Sequence, residues 1–487
     1  MTRPFRFGFG LLSVLVPLLL LQPARAQQAT VPDTTGQRPL TLETIFSEPT
    51  FQSASFQGGR WAEEGPVLTY IEQSGEGEAT DLVRYNLETD ERTRLIDGAT
   101  LQAPDVDRVI AIEDYQYSRD GKKVLLYTDS ERVWRLNTKG YYYLYDVEAE
   151  TLTPISSRDE GFQMFAKLSP DGSQVAFVRD RNLFRVDLAS MEETQLTSDG
   201  AEGGIINGTS DWVYEEEFGL RDGWAWSPDG QYIAFLQLDE TATREFAMTD
   251  LRGLYPEFER FRYPKAGEAN SEIHAGVIDV ESGGKTFFET GTWNAGGDSL
   301  EYIPQLGWTP LIDGTHYAYL FRMNRDQNRL DLLYGDPATG EIQTVLKETS
   351  ETWLDVETGF SDLDVGTITF LEDGEHFVWI SERDGHRHLY LYENDGTFVR
   401  QITQGDWDVT DFHGIDEAGG WLYFTSTEAS PLERQFYRMR LDTADTTNTP
   451  ERITEEAGWH DINLSSDARY FIDTFSDVTT PPTVTLR

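Results

Sequence analysis

The sequence contains no cysteine. That absence excludes a disulfide framework, thiol catalysis, cysteine-bound zinc and iron–sulfur clusters. Lysine is almost as scarce: only Lys122, Lys123, Lys139, Lys167, Lys265, Lys285 and Lys347 occur, and every other base is arginine. Positive charge is short altogether, with 40 Lys+Arg against 85 Asp+Glu and a formal net charge of -45. Such a field repels nucleic acid and anionic membrane surfaces and favours a cationic ligand. An acidic, lysine-poor chain also points to a high-salt habitat, where ions screen self-repulsion. No hydrophobic stretch beyond the amino terminus approaches membrane length.

What is present begins with residues 1–26, which read as a secretory signal peptide. Arg3 and Arg6 precede the apolar run Leu11–Leu21, and Ala24-Arg25-Ala26 is a small-x-small cleavage site. The run is short for a membrane span, and no cysteine follows it to carry a lipid anchor. A soluble protein exported to the periplasm or the exterior is expected, with no membrane span after signal cleavage.

Residues 27–39 are polar, contain Pro32 and Pro39, and read as a linker. Thr41 is placed to cap a short helix over Leu42–Phe46. From about residue 60 a unit recurs: a turn with Asp-Gly, an alternating apolar strand, a short gap, a second strand and a Thr-rich strand. Ser118-Arg119-Asp120-Gly121, Ser169-Pro170-Asp171-Gly172 and Ser227-Pro228-Asp229-Gly230 are clear copies; Ile312-Asp313-Gly314, Glu372-Asp373-Gly374 and Ser466-Asp467-Ala468 are later ones. The turns suit tight antiparallel reversals, and the strands are rich in Val, Ile, Tyr, Phe and Trp. With 487 residues and 38% of them hydrophobic, the chain can bury a large core. A repeat of several short strands implies an all-β fold, a β-propeller of about eight blades spanning 40–487. Two segments break the rhythm: an acidic stretch within 201–222, read as a short helical insertion, and a polar insertion over 238–270, read as a projecting arm.

The sharpest local feature is Glu215-Glu216-Glu217, flanked by Trp212, Tyr214 and Phe218. Successive helical residues lie about 100° apart, so only two of the three carboxylates can converge. Two adjacent carboxylates repel each other unless a cation relieves them, and an ammonium group with three donors would do so. Arg135, in Glu131-Arg132-Val133-Trp134-Arg135, sits in a loop at a blade end and can pair with such acids. His386 and His388 alternate on a strand without an evident third metal ligand, and no calcium loop pattern occurs. No cofactor or metal is expected.

Asp211–Phe218, Trp134-Arg135, Tyr263-Pro264-Lys265-Ala266-Gly267, Gly385-His386-Arg387-His388 and Ser430-Pro431-Leu432-Glu433-Arg434 together resemble the propeller half of dipeptidyl peptidase IV, a family within the prolyl oligopeptidase superfamily of serine peptidases. The resemblance covers roughly residues 40–487. It implies that Glu216 and Glu217 hold a substrate's free N-terminus, that Arg135 contacts both the glutamates and a peptide carbonyl, and that Glu215 turns away. It also implies that the intact family enzyme releases N-terminal dipeptides with Pro or Ala second. The family's α/β-hydrolase domain has no counterpart here: no Gly-x-Ser-x-Gly occurs, Gly297-Asp298-Ser299 and Gly208-Thr209-Ser210 lack the closing glycine, and all seven histidines fall inside the repeats. No catalytic residue is assigned, and no peptidase activity is expected of this chain alone. The partners implied are peptides with a free N-terminus and a missing or separately encoded hydrolase domain. The alternative is a non-enzymatic periplasmic propeller that binds peptides or proteins. A family arginine of the later blades finds no clear match near Gly359-Phe360-Ser361. Family members commonly pair through the arm together with the hydrolase domain, so a monomer or weak homodimer is expected.

The melting midpoint should climb as salt is raised from about 0.1 M to about 2 M, while light scattering reports a monomer or weak dimer. A midpoint indifferent to salt would remove the halophilic reading, and a tight dimer at every salt the weak-pairing one.

Overall fold

The computed structural model describes residues 40–47, 56, 58–62, 65–74, 79–291, 302–356, 367–441 and 449–487. The expected signal peptide over 1–26, the expected linker over 27–39 and the segments around Asp298 and Phe360 lie outside them. The chain divides into two compact units, Met1–Phe56 and Gln57–Arg487. In the first, Thr41 caps the helix Leu42–Phe46 as expected, its hydroxyl accepting from Thr44 N at 3.1 Å.

The second unit is an eight-bladed β-propeller, each blade an antiparallel sheet. Blade 1 holds Arg60–Trp61, Val67–Gln73, Thr80–Asn86 and Glu91–Ile96; blade 2 holds Asp114–Tyr117, Lys123–Arg132, Asn137–Asp146 and Thr151–Pro154. Blade 3 comprises Met164–Leu168, Gln174–Arg179, Asn182–Asp187 and Glu192–Gln195. Blade 4 is the irregular one and is built on Tyr232–Asp239, Glu272–Asp279 and Lys285–Phe287. Blades 5 to 7 start at Leu306–Ile312, Ile368–Phe370 and Val409–Asp416, and blade 8 comprises Trp459–Leu464, Phe471–Ser476 and Thr483–Leu486. Among the described residues no α/β-hydrolase fold is present.

The repeat signature has a common physical basis. In each clear copy the serine hydroxyl donates to the aspartate two residues on and accepts from the first backbone N–H of the next strand. The pairs are Ser118–Asp120 at 2.7 Å, Ser169–Asp171 at 2.6 Å and Ser227–Asp229 at 2.6 Å. The returning bonds come from Lys123, Gln174 and Tyr232 N at 2.9–3.0 Å. Ser465–Asp467 repeats the arrangement in blade 8, where Ala468 takes the left-handed backbone (φ 53°) that glycine occupies in the other copies. Between blades the strands bury continuous apolar faces, including Val175, Phe177 and Val186 between blades 2 and 3, and Phe424, Tyr437 and Met439 around blade 7.

Among the described residues the ring closes without a shared sheet. Asn463 of blade 8 donates to Gly59 O at 2.9 Å and accepts from the Trp61 indole at 3.3 Å, and Ser466 Oγ donates to Ala62 O at 2.8 Å. Blade 8 carries its own internal lock. His460 is fully buried, with Nδ1 2.9 Å from an Asp473 oxygen and Nε2 3.0 Å from Glu456 O. Both ring nitrogens face acceptors, an arrangement that favours the doubly protonated ring. Arg487 Nε lies 3.1 Å from the other Asp473 oxygen. Burial pulls the His460 pKa down, but the bonds to Asp473 and Glu456 outweigh it and hold it above its ordinary value.

A histidine with a raised folded pKa contributes stability below the unfolded value, about 6.5, and loses it as pH rises through the folded value. The melting midpoint of the wild type should therefore carry a component that falls as pH is raised from mildly acidic to alkaline, and His460→Gln should abolish that component.

Candidate peptide-binding site

The site grows out of the innermost strand of blade 4, which is cut in two. Ile205–Asn207 pairs with Asp239–Gln237, and Trp224–Trp226 resumes opposite Phe235–Ile233. Between them the chain leaves the sheet, makes the helix Trp212–Phe218, and returns through a bridge between Thr209 and Asp222. Sequence explains both helix ends. Asp211 is the N-cap, accepting from Tyr214 N at 3.0 Å, and Gly219 ends the helix in a left-handed conformation (φ 62°). Val213, Tyr214 and Phe218 are buried in the core, and the Tyr214 hydroxyl accepts from Ile303 N at 3.0 Å. The second Asp211 oxygen accepts from Ser271 Oγ at 2.6 Å. Burial raises the Asp211 pKa against the lowering effect of these bonds.

Facing the helix is the hairpin of blade 2. Its strand pair runs over Lys123–Arg132 and Asn137–Asp146, with bulges between Thr128 and Arg132 and Asp129 at positive φ. The added length lifts the loop bearing Arg135 clear of the blade. Arg135 Nη2 reaches Glu216 Oε1 at 2.5 Å, with the arginine side chain 71% and the glutamate 31% exposed. An exposed pair of this kind contributes at most about 1 kcal/mol to folding, so it orders side chains and does little to hold the fold together.

Arg135 and Glu216 come together as the sequence suggested. Glu215 does not turn away. It is buried, and its Oε1 accepts from Arg135 N at 3.4 Å. On a helix whose buried face is set by Tyr214 and Phe218, Glu216 points opposite to the core, and Glu215 lies at the edge of that face. Burial pushes the Glu215 pKa up, with the bond from Arg135 N opposing it. Glu217 is exposed beside Glu216, and among the described residues no cation pairs with it. The histidine pair is structural: His388 is buried and bonded to Thr403 Oγ1 and Gly405 O, while His386 lies near Asp408.

Two cavities adjoin the site. A central one of about 710 Å³ is lined by the inner strands of blades 1, 2 and 3, by Leu136 beside Arg135, and by Gly219–Asp222 after the acidic helix. A smaller one of about 280 Å³ lies behind the helix, lined among others by Trp134, Asp211, Glu215, Glu240 and Phe261. The buried bond from Ser271 to Asp211 and the place of Phe261 in the lining of the smaller cavity were not legible in the sequence. Ser271 and Phe261 carry no local pattern that marks them.

An eight-bladed propeller whose fourth inner strand is interrupted by an acidic helix set against an arginine loop is a distinct class of β-domain. Residues 118–482 match the family model described as dipeptidyl peptidase IV (DPP IV) N-terminal region, and the chain belongs to that family. It is 29% identical over 480 residues to a probable dipeptidyl-aminopeptidase B of Emericella nidulans, an alignment covering 92% of this chain and 51% of that protein. A probable dipeptidyl-aminopeptidase B of Tuber melanosporum is 31% identical over 443 residues, covering 85% and 47%. The crystal structure of Porphyromonas gingivalis dipeptidyl peptidase 4 is similar with a TM-score of 0.80 and 32% identity, over 93% of this chain and 60% of that one. The chain spans about half the length of the relatives it matches.

Asp211→Ala should destabilise the protein by about 1–2 kcal/mol in urea unfolding, because it removes the cap and strands Ser271. Asp211→Asn retains an acceptor without the buried charge and should cost less than half as much. Equal losses would show that the cap does not set the helix.

Proposed function

We propose that this propeller supplies the site that holds the free N-terminus of a peptide in an exported, dipeptidyl peptidase IV-like serine exopeptidase acting on N-terminal Xaa-Pro or Xaa-Ala. Membership in the family and relatives named as dipeptidyl peptidases support the reaction class. One observation carries the assignment of the site: Arg135 neutralises Glu216, while Glu217 beside it has no cationic partner among the described residues. A peptide ammonium entering there meets one ordered carboxylate, one unneutralised carboxylate and a guanidinium that can turn a donor to the first carbonyl. Arg135 thereby does two things. It limits repulsion between the two acids, and it gives the peptide backbone a direction.

The acidic surface supports the same reading, since a net negative field attracts a cationic peptide end. The amino-terminal run Leu11–Leu21 with its cleavage site supports export, and the excess of acids supports a saline environment. The arm exposes Leu251, Leu254, Tyr255 and Phe258 at its tip, apolar surface suited to a second copy of the chain. The strong negative charge of each copy keeps such pairing weak except at high salt.

Each charge-assisted bond to the ammonium contributes about 1.5–3 kcal/mol, and with water free to screen them the affinity should be on the order of millimolar. Titration of free and N-acetylated Xaa-Pro peptides, followed by NMR, should show binding that acetylation abolishes. Glu216→Gln and Glu217→Gln should each weaken it at least about tenfold. Equal binding of both peptides to wild type and variants would defeat the assignment.

A further inference from the structure

The arm meets the site at its root, through aromatic rings. The arm is a hairpin of Glu245–Asp250 and Glu257–Arg262, in register from Glu245 opposite Arg262 to Asp250 opposite Glu257. Phe261 contacts Trp134 edge-on, with ring centres 5.2 Å apart. Tyr263, just past the second strand, contacts Trp212 edge-on at 4.4 Å. Phe246 joins the two, 6.0 Å from Phe261 and 5.5 Å from Tyr263. Trp134 immediately precedes Arg135, and Trp212 is the first residue of the helix that carries Glu216 and Glu217. Five rings therefore form an unbroken chain between two segments that are distant in sequence and carry opposite charges of one site.

The root itself is well anchored. Tyr263 N donates to Arg244 O at 2.9 Å, and Arg262 Nη1 donates to Thr243 O at 2.7 Å. The loop it supports has fewer ties: Val133 N donates to Leu136 O at 3.1 Å, Arg132 Nε to Trp134 O at 2.7 Å, and Arg135 N to Glu215 Oε1 at 3.4 Å. Arg135 is mostly exposed, and an exposed ion pair is too weak to hold a loop in one place. Edge-on aromatic contacts are directional and supply what the ion pair cannot.

We infer that Phe261 and Tyr263 are positioning residues for the peptide-amine site: by holding Trp134 and Trp212 they keep Arg135 in register with Glu216 and Glu217, so that the arm's root sets the affinity for a free N-terminus. This rests on the assignment of those glutamates to the amine.

The test uses the full chain and two readouts. Free and N-acetylated Xaa-Pro peptides are titrated into Phe261→Ala, Tyr263→Ala, Tyr263→Phe and, at the exposed part of the arm, Phe258→Ala. Amide hydrogen exchange is followed over residues 133–136 and 212–218 without ligand. Phe261→Ala and Tyr263→Ala should weaken the free-amine peptide about five- to tenfold and speed exchange in the segment each ring contacts. Tyr263→Phe keeps the ring and should match wild type, as should Phe258→Ala. If an alanine variant fails to fold, Phe261→Leu, which keeps apolar volume without the ring, should show the same loss. A wild type that requires the free amine, with Phe261→Ala binding it unchanged and exchange over 133–136 unaltered, would overturn the arm's role alone. A wild type indifferent to acetylation would overturn both the arm's role and the amine assignment.

Discussion

Asp211 uses both carboxylate oxygens at the point where blade 4 departs from the repeat. One accepts from the first turn of the acidic helix, and the other accepts from Ser271, at the threshold of the strand Glu272–Asp279. Helix start and sheet are thereby fixed to a single side chain. The direction of the helix, and with it the exposure of Glu216 and Glu217 and the burial of Glu215, follows from that fixture and from the packing of Tyr214 and Phe218. The same bonds offset part of the desolvation that raises the carboxyl's pKa, a condition that holds only while both donors are in place.

The propeller handles its excess of acid in two ways. Structural acids are spent on backbone: the aspartates of the Ser-x-Asp turns accept from a serine and a backbone N–H, so each negative charge stabilises a reversal between strands. Several buried acids are matched with bases, as in Arg322 with Asp331 at 2.5 Å and His460 with Asp473. The glutamates of the site belong to neither group. Glu216 holds one exposed arginine and Glu217 none among the described residues, which is the arrangement expected of groups kept available for a ligand rather than for the fold.

The arm adds a mechanical link. A hairpin inserted between two strands of blade 4 would by itself be a surface ornament, yet its root rings touch both halves of the site. The blade 2 hairpin is lengthened far enough to meet it. Site geometry therefore depends on three departures from the repeat: an interrupted inner strand, an extended hairpin and an inserted arm. None of them disturbs the eightfold packing, because each leaves the apolar faces between blades intact.

Much of this was readable from residues alone. The Ser-x-Asp-Gly turns with alternating apolar strands implied blades, since turn chemistry and a period of two act over a few residues and need no distant partner. The acidic stretch within 201–222 was legible as a short helix, and the family's motif singled out Arg135, Glu216 and Glu217. The fate of Glu215 was not readable: helical angle shows that only two carboxylates can converge, but which face is buried depends on the core that Tyr214 and Phe218 enter. The bond from Ser271 to Asp211, the closure of the ring through Asn463, and the contact of Phe261 with Trp134 were likewise decided by tertiary structure. Each joins residues far apart in the chain, and such a contact exists only once the blades have packed and brought them within reach.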